Sequence, residues 1–445
     1  MHIERVSDGN QTFKRLCVAI VIVGVLLRVF SIHWNQYVHG DVFLYAKASE
    51  SVSRFGNFLI PTDISIPYWY SLKEKGGRFL EHNPLWPLIG GGVVSVFHIS
   101  GYEALKALSL VAGILLLFFT YRFAFLLAGG SVALLTLLLT ALSYPLIDYS
   151  GNGAFYIFQA DLYLLFLILL QGSERIKNQI FLGAVLGFSF LLNQQTVILF
   201  VAYALYLFSR HRREPIIMLR LAAVPFFSAA ILFLPWGIRN YLLFGSPFYS
   251  VGFSYLWDKV GALRVIQDGI ISFFLTAADY LRLAKTSLLF WLPHNAYFIH
   301  RTLLVLAPVA YAGSLLLAVE MLFKKGREKI KAKIFLPAVF VLALHGFLSA
   351  LFPDLKFRYL IPMLPIILAF GSFYIMEYIE RRALRLMAIW LSIVFAGALS
   401  LITYYSTPTH TDYYGGTITT DIYNKNGENE FLNGYTDQEL WTPSS

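Results

Sequence analysis

One cysteine in 445 residues, Cys17, lies inside an apolar run, which excludes an internal disulfide and any cysteine-built metal cluster. Charge is scarce too. Asp, Glu, Lys and Arg make up 14% of the chain against 57% hydrophobic residues, and mean hydropathy is +0.63, a balance that excludes a soluble domain of this length. Also absent, in any fitting context, are a Walker loop, a dinucleotide-binding glycine pattern, a nucleophile elbow and a metalloprotease His-Glu pair. Nucleotide-driven chemistry in the cytoplasm therefore has no support. There is no repeat at solenoid periods and no low-complexity tract. The formal net charge of +9 does not signal nucleic acid, because the basic residues stand between apolar runs instead of forming one patch interleaved with aromatics.

What is present is a series of apolar runs approaching the roughly 20 residues that a helix needs to cross about 30 Å of hydrocarbon. Barrel strands would be short and alternating. The expected fold is all-α and polytopic, with about eleven transmembrane helices near 16–32, 104–127, 131–146, 155–171, 179–193, 195–209, 217–235, 302–323, 334–351, 359–377 and 386–404. Every second connection is basic: Arg5, Lys14 and Arg15; Arg175 and Lys177; Arg210, Arg212 and Arg213; Lys324 to Lys333; Arg381, Arg382 and Arg385. The positive-inside rule then puts the N-terminus in the cytoplasm, and an odd number of helices puts the C-terminus outside. No small-residue cleavage pattern follows the first run at Ser31-Ile32-His33-Trp34, so an uncleaved helix is expected there. The partition is one membrane domain, 1–404, and a short outer tail, 405–445, with two long outer segments at 33–103 and 236–301. In the first of these, Leu44, Ala48, Val52 and Phe55 share one helical face and Lys47, Glu50, Ser51 and Arg54 the other, which suits an amphipathic helix lying in the interface.

Charge near lipid is costly, so ionisable residues on the outer side carry the functional information. Asp41, in His39-Gly40-Asp41, either accepts a proton from an attacking hydroxyl or caps the helix that follows. Glu81 and His82, in Glu81-His82-Asn83-Pro84, either ligate a divalent metal or hold a phosphate, or else form a helix-entry turn ahead of Pro84. Arg239, in Pro235-Trp236-Gly237-Ile238-Arg239-Asn240, either grips a phosphate through two donors or snorkels to headgroups. Lys356 and Arg358, flanking Phe357, make an anion site on the side depleted of positive charge, with snorkelling again the alternative. Asp148, Asn152, Gln159 and Asp161 lie on the short outer loop after the third helix and on the helix that follows it, where Asp161 either faces a cavity or bonds a neighbouring helix.

The order of these motifs resembles the glycosyltransferase-C superfamily, above all the branch of the protein O-mannosyltransferases and lipid A aminoarabinose transferases, over roughly residues 16 to 404. Gly40-Asp41-Val42-Phe43-Leu44-Tyr45-Ala46 is similar to the family's acidic motif in the first outer loop. Phe79-Leu80-Glu81-His82-Asn83-Pro84-Leu85-Trp86 resembles the later motif there, with His82 in place of a lysine and Asn83 in place of a proline. Pro235-Trp236 with Arg239-Asn240, and Arg358-Tyr359-Leu360-Ile361-Pro362, resemble further outer-face motifs. The second acidic position falls near Gln159 or Asp161. The resemblance implies transfer of a sugar from a polyprenyl-phosphate donor to a hydroxyl of a lipid, glycan or protein acceptor at the outer leaflet, and the compact size and small C-terminal tail suggest a prokaryotic plasma (inner) membrane. In that scheme Asp41 is the base and Arg239, Lys356, Arg358 and His82 hold the donor phosphate. Asp161, Gln159 and Asp148 support the acceptor. Some relatives use a divalent metal, for which Glu81, His82, His294 and His300 are the available ligands. Two other readings stand beside it: an outer-face glycan polymerase or ligase, whose large loop falls late in the chain, and a lipid or anion transporter (flippase), marked by inverted repeats and broken midplane helices.

Overall fold

A computed structural model of the chain describes residues 2–34, 38–58, 83–172, 175–244, 247–248, 292–322, 332–351, 357–406 and 422–423. The helices are α1 (His2–Trp34), α2 (Gly40–Phe55), α3 (Leu85–Phe97), α4 (Gly101–Ala128), α5 (Gly130–Leu142), α6 (Tyr144–Asp148), α7 (Tyr156–Leu169) and α8 (Ile176–Leu192). They continue with α9 (Val197–His211), α10 (Pro215–Phe244), α11 (Leu292–Leu306), α12 (Pro308–Leu322), α13 (Ala332–Leu351), α14 (Leu364–Glu377) and α15 (Arg382–Ser406). A 3-10 segment, Phe357–Met363, leads into α14. Among the described residues, extended structure is one antiparallel pair, Val38–His39 with Ile422–Tyr423. Each of the eleven apolar stretches falls on a helix. The stretch expected as a single helix over 302–323 is instead a pair, α11 and α12, bent by 120° where Pro308 opens the second helix.

Four described helices are long and apolar enough to cross a bilayer: Gln11–Ile32, Gly101–Ala128, Pro215–Leu242 and Arg358–Glu377. The bent pair makes five, and shorter apolar helices fill the bundle around them. Lipid supplies no hydrophobic drive between such helices, so close approach depends on small residues. In α8, Gly183 and Gly187 are one turn apart; a β-carbon at Gly183 would lie 2.6 Å from the Pro225 carbonyl oxygen, and one at Gly187 3.1 Å from the α-carbon of Ala229, so α10 packs directly on this face. Pro225 has no N–H to give to the Leu221 carbonyl, and the Tyr203 hydroxyl of α9 donates to that oxygen instead, at 2.7 Å. A helix-breaking residue is thus accommodated by a neighbour's side chain.

Helix α2 departs from the expected interfacial helix. Leu44 and Ala48 are buried as the pattern requires, but Phe55 is exposed while Glu50 and Ser51 are buried. The reason is that α2 lies under α3 and against the start of α4. Gly90 and Gly91 leave room for Ser49 and Val52, and Gly101 sits on the Ala46 carbonyl. Glu50 faces this junction with work to do: its carboxylate accepts from the backbone N–H of Gly101 at 3.0 Å and from Lys47 at 3.3 Å. Ser100 and Glu103 complete a capping box at the same helix start. Glu50→Ala is therefore expected to lower stability by about 1–2 kcal/mol through loss of this cap. Thermal unfolding in detergent measures it, and Glu50→Gln, which keeps an acceptor oxygen, should recover most of the loss.

Candidate active site at one end of the bundle

The end of α1, the starts of α2, α4 and α7, and the end of α5 meet at one end of the bundle. Lys106 of α4 donates to the Ile32 carbonyl at 3.3 Å. The turn between α6 and α7 is tied down by Ser109, which donates to the Ser150 carbonyl at 3.2 Å and accepts from the Gly153 N–H at 3.1 Å. Gly153 has a φ of +85°, a conformation that favours glycine, and a β-carbon there would also meet a γ-methyl of Val42 at 2.9 Å. Trp86 donates its indole N–H to the Gly153 carbonyl at 2.9 Å. The first turn of α2, the Asn83–Trp86 motif and the turn between α6 and α7 thus form one junction.

Asp41 stands in the first turn of α2, one turn before Tyr45. The Tyr45 ring meets Phe155 edge-on at 5.8 Å, Phe155 lies 4.4 Å from Tyr156, and Tyr156 meets Tyr359 at 6.1 Å. The Arg358 guanidinium sits over the Tyr156 and Tyr359 rings at 5.9 and 5.4 Å, in a side chain only 6% exposed. That burial is the opposite of a side chain reaching out to headgroups. The structure therefore brings the helix turn of Asp41 and the side chain of Arg358 to a common aromatic pair, Phe155 and Tyr156.

Arg239 lies elsewhere. Its guanidinium covers the Trp236 ring at 4.3 Å and the Phe58 ring at 5.6 Å, and it donates to the Asn240 side-chain oxygen at 3.0 Å. Phe58 follows the far end of α2, where Ser51 donates to Asn57 at 2.9 Å. At about 1.5 Å per residue this end is some 15 Å or more from the first turn. Asn83 connects the two regions: its amide donates to the Phe190 carbonyl, and the Phe190 ring packs on Phe233 of the arginine-bearing helix at 5.1 Å.

Asp148 is buried at the end of α6, and its carbonyl accepts from the Gly151 N–H at 3.0 Å. Gln159 is buried and donates to the Tyr163 hydroxyl at 3.0 Å. Asp161 stands two residues further along α7. It is buried facing the charge of Arg28, and neither carboxylate oxygen has a hydrogen-bond partner among the described residues. Arg28 is fully buried, donating to the Gly24 and Thr140 carbonyls, each at 3.0 Å. Two polar residues at this end were not singled out from sequence, Arg28 and His345. For both, the available signal is a polar group within an otherwise apolar run.

Glu81, His82 and Lys356 lie outside the described residues, and Asp41 and His294 are described by backbone alone. His300 pairs through Nδ1 with the Tyr311 hydroxyl at 3.1 Å. Among the described residues no three His, Cys, Asp or Glu side chains gather where they could share a metal ion.

Residues 81–238 match the family described as dolichyl-phosphate-mannose-protein mannosyltransferase. Over most of the chain, similarity runs to solved oligosaccharyltransferase and ArnT structures. The Archaeoglobus fulgidus oligosaccharyltransferase in complex with zinc and sulfate aligns at TM-score 0.58 and 16% identity, over 90% of this chain and 53% of that one. The chain has the glycosyltransferase-C fold. The archaeal oligosaccharyltransferase AglB from Archaeoglobus fulgidus, with an inhibitory peptide and a dolichol-phosphate, aligns at 0.58 and 14% identity, over 88% and 56% of the two chains. ArnT from Cupriavidus metallidurans bound to undecaprenyl phosphate aligns at 0.53 and 12% identity, over 87% and 64%. The chain thus spans about half the length of the oligosaccharyltransferase. No curated protein matches it in sequence.

Proposed function

We propose that the protein transfers a sugar from a polyprenyl-phosphate donor to an acceptor hydroxyl at the outer face of the membrane. The observation that carries the reading is the shared Phe155–Tyr156 platform, on which the helix bearing Asp41 and the segment bearing Arg358 both rest. A carboxylate and a cation on one aromatic floor suit a reaction in which a proton leaves one partner and a phosphate leaves the other. The acceptor oxygen attacks the anomeric carbon while its proton passes to Asp41, and the bond from that carbon to the phosphate oxygen breaks. The phosphate stays on its lipid and takes up the bonding electrons, and Arg358 stabilises the charge that develops there. Lys356 and His82 belong to the same phosphate group by their motifs. Arg239, with its aromatic partners beyond the far end of α2, suits the approach of the lipid carrier. Asp148 and Gln159 flank the platform on the acceptor's side. Kinship with proteins bound to dolichol-phosphate and undecaprenyl phosphate supports the donor class.

The test is purified protein reconstituted in sealed vesicles and given a labelled polyprenyl-phosphate sugar and a membrane extract as acceptor source. Label should move to a hydroxyl-linked product while free polyprenyl phosphate accumulates. Label that stays on the donor, or crosses a vesicle bilayer with the donor intact, would overturn the reading, the second result in favour of a carrier.

A further inference from the structure

We propose that His345 is a positioning residue for Arg358, a role that rests on the donor-binding function assigned above. The 3-10 segment that carries Arg358 contains Pro362. In a 3-10 turn the Tyr359 carbonyl would accept from the N–H three residues on, and that residue is Pro362, which has none. His345 of α13, 1% exposed, supplies the donor: its Nε2 lies 2.6 Å from the Tyr359 carbonyl oxygen. A carbonyl only accepts, so Nε2 carries the proton. In the neutral ring Nδ1 then accepts from the Tyr163 hydroxyl at 2.9 Å. That hydroxyl accepts in turn from Gln159 at 3.0 Å, and the Gln159 side-chain oxygen accepts from Asn193 at 3.3 Å. Every donor in the chain points the same way, from the end of α8 to the backbone next to Arg358. The imidazole is thus held by an ordered line of groups, buried from Gln159 onward, and it holds the one backbone oxygen that proline leaves without its turn partner. Loss of the imidazole donor would let the segment shift and carry the guanidinium away from the Tyr156 ring.

The experiment is a double-mutant cycle on transfer from a labelled polyprenyl-phosphate sugar, with melting temperature recorded alongside. His345→Phe keeps a ring without the donor and is expected to cut kcat/KM about 10- to 100-fold, the scale of a misplaced binding group. His345→Gln, whose amide reaches the Nε2 position, should recover most of this. In an Arg358→Gln background, His345→Phe should change transfer by no more than about 2-fold, since a residue acting only through Arg358 has nothing left to act on. Full additivity in that background overturns the inference and leaves the proposed activity standing. Normal transfer in Arg358→Gln alone overturns the donor-site reading itself. Should His345→Phe fail to fold, His345→Gln against the shorter His345→Asn supplies the comparison: transfer kept by glutamine and lost by asparagine supports the role, and equal behaviour of the two overturns it.

Discussion

Replacing Asp41 by asparagine is expected to slow sugar transfer about 100- to 10,000-fold, the range contributed by a positioned general base, while the protein stays folded. Both readings of Asp41 in the sequence predict something different here, which gives the substitution its value. A carboxylate in the first turn of a helix interacts favourably with the N-terminal end of the macrodipole, worth about 0.3–1 kcal/mol. Asparagine serves the start of a helix nearly as well as aspartate. If Asp41 only steadied α2, Asp41→Asn would lower the melting temperature slightly and leave transfer intact. If it takes the acceptor's proton, asparagine cannot, and transfer collapses with the fold unchanged. The first turn of α2 is well supported without the carboxylate, because Val42 packs on Gly153 and Tyr45 on Phe155. Rate and melting temperature measured on the same preparation separate the two roles. Normal transfer in Asp41→Asn would remove the base from the mechanism.

Helix positions were legible because apolar length is read directly, one residue at a time, without knowledge of neighbours. The faces of α2 were not. Periodicity assigns Glu50 to the polar side, and a polar side is ordinarily wet. Here the N–H groups at the start of α4 need an acceptor, and Glu50 is the side chain that reaches them. Only the packing of α2 against Gly90, Gly91 and Gly101 reveals that need. The bend at Pro308 was hidden for a related reason, since hydropathy runs smoothly through it. Of the candidate site, the motifs around Asp41, Trp86 and Arg358 were visible as charge and aromatic clusters against the topology trend, and they meet. Arg239 carried the same kind of signal, yet it lies beyond the far end of α2, since a motif marks an end of the bundle and not a point on it. His345 and Arg28 stood in apolar runs as single polar letters. Their acceptors are the carbonyls of Tyr359, Gly24 and Thr140, and backbone acceptors leave no mark in a sequence.

Arg358→Gln is expected to reduce kcat about 100- to 1,000-fold, the loss that follows removal of one preorganised donor at a site of developing negative charge. The magnitude follows from where the guanidinium sits. In water a cation beside a phosphate gains little, because solvent screens both; over the Tyr156 and Tyr359 rings, in a side chain 6% exposed, the same charge acts through a medium of far lower dielectric. The two rings also hold the guanidinium in place before the donor arrives, so little reorganisation is left for the moment of bond breaking. Arg358→Lys keeps the charge but loses the planar fork and stacks less well on aromatics, so an intermediate loss is expected, with the donor KM rising more than kcat falls. Competition by free polyprenyl phosphate gives an independent readout: its inhibition constant should rise in Arg358→Gln and less so in Arg358→Lys. A purely packing role would give the reverse pattern. Both variants would then melt at lower temperature while transfer and lipid-phosphate inhibition stayed at wild-type levels, and the cation would have no part in leaving-group departure.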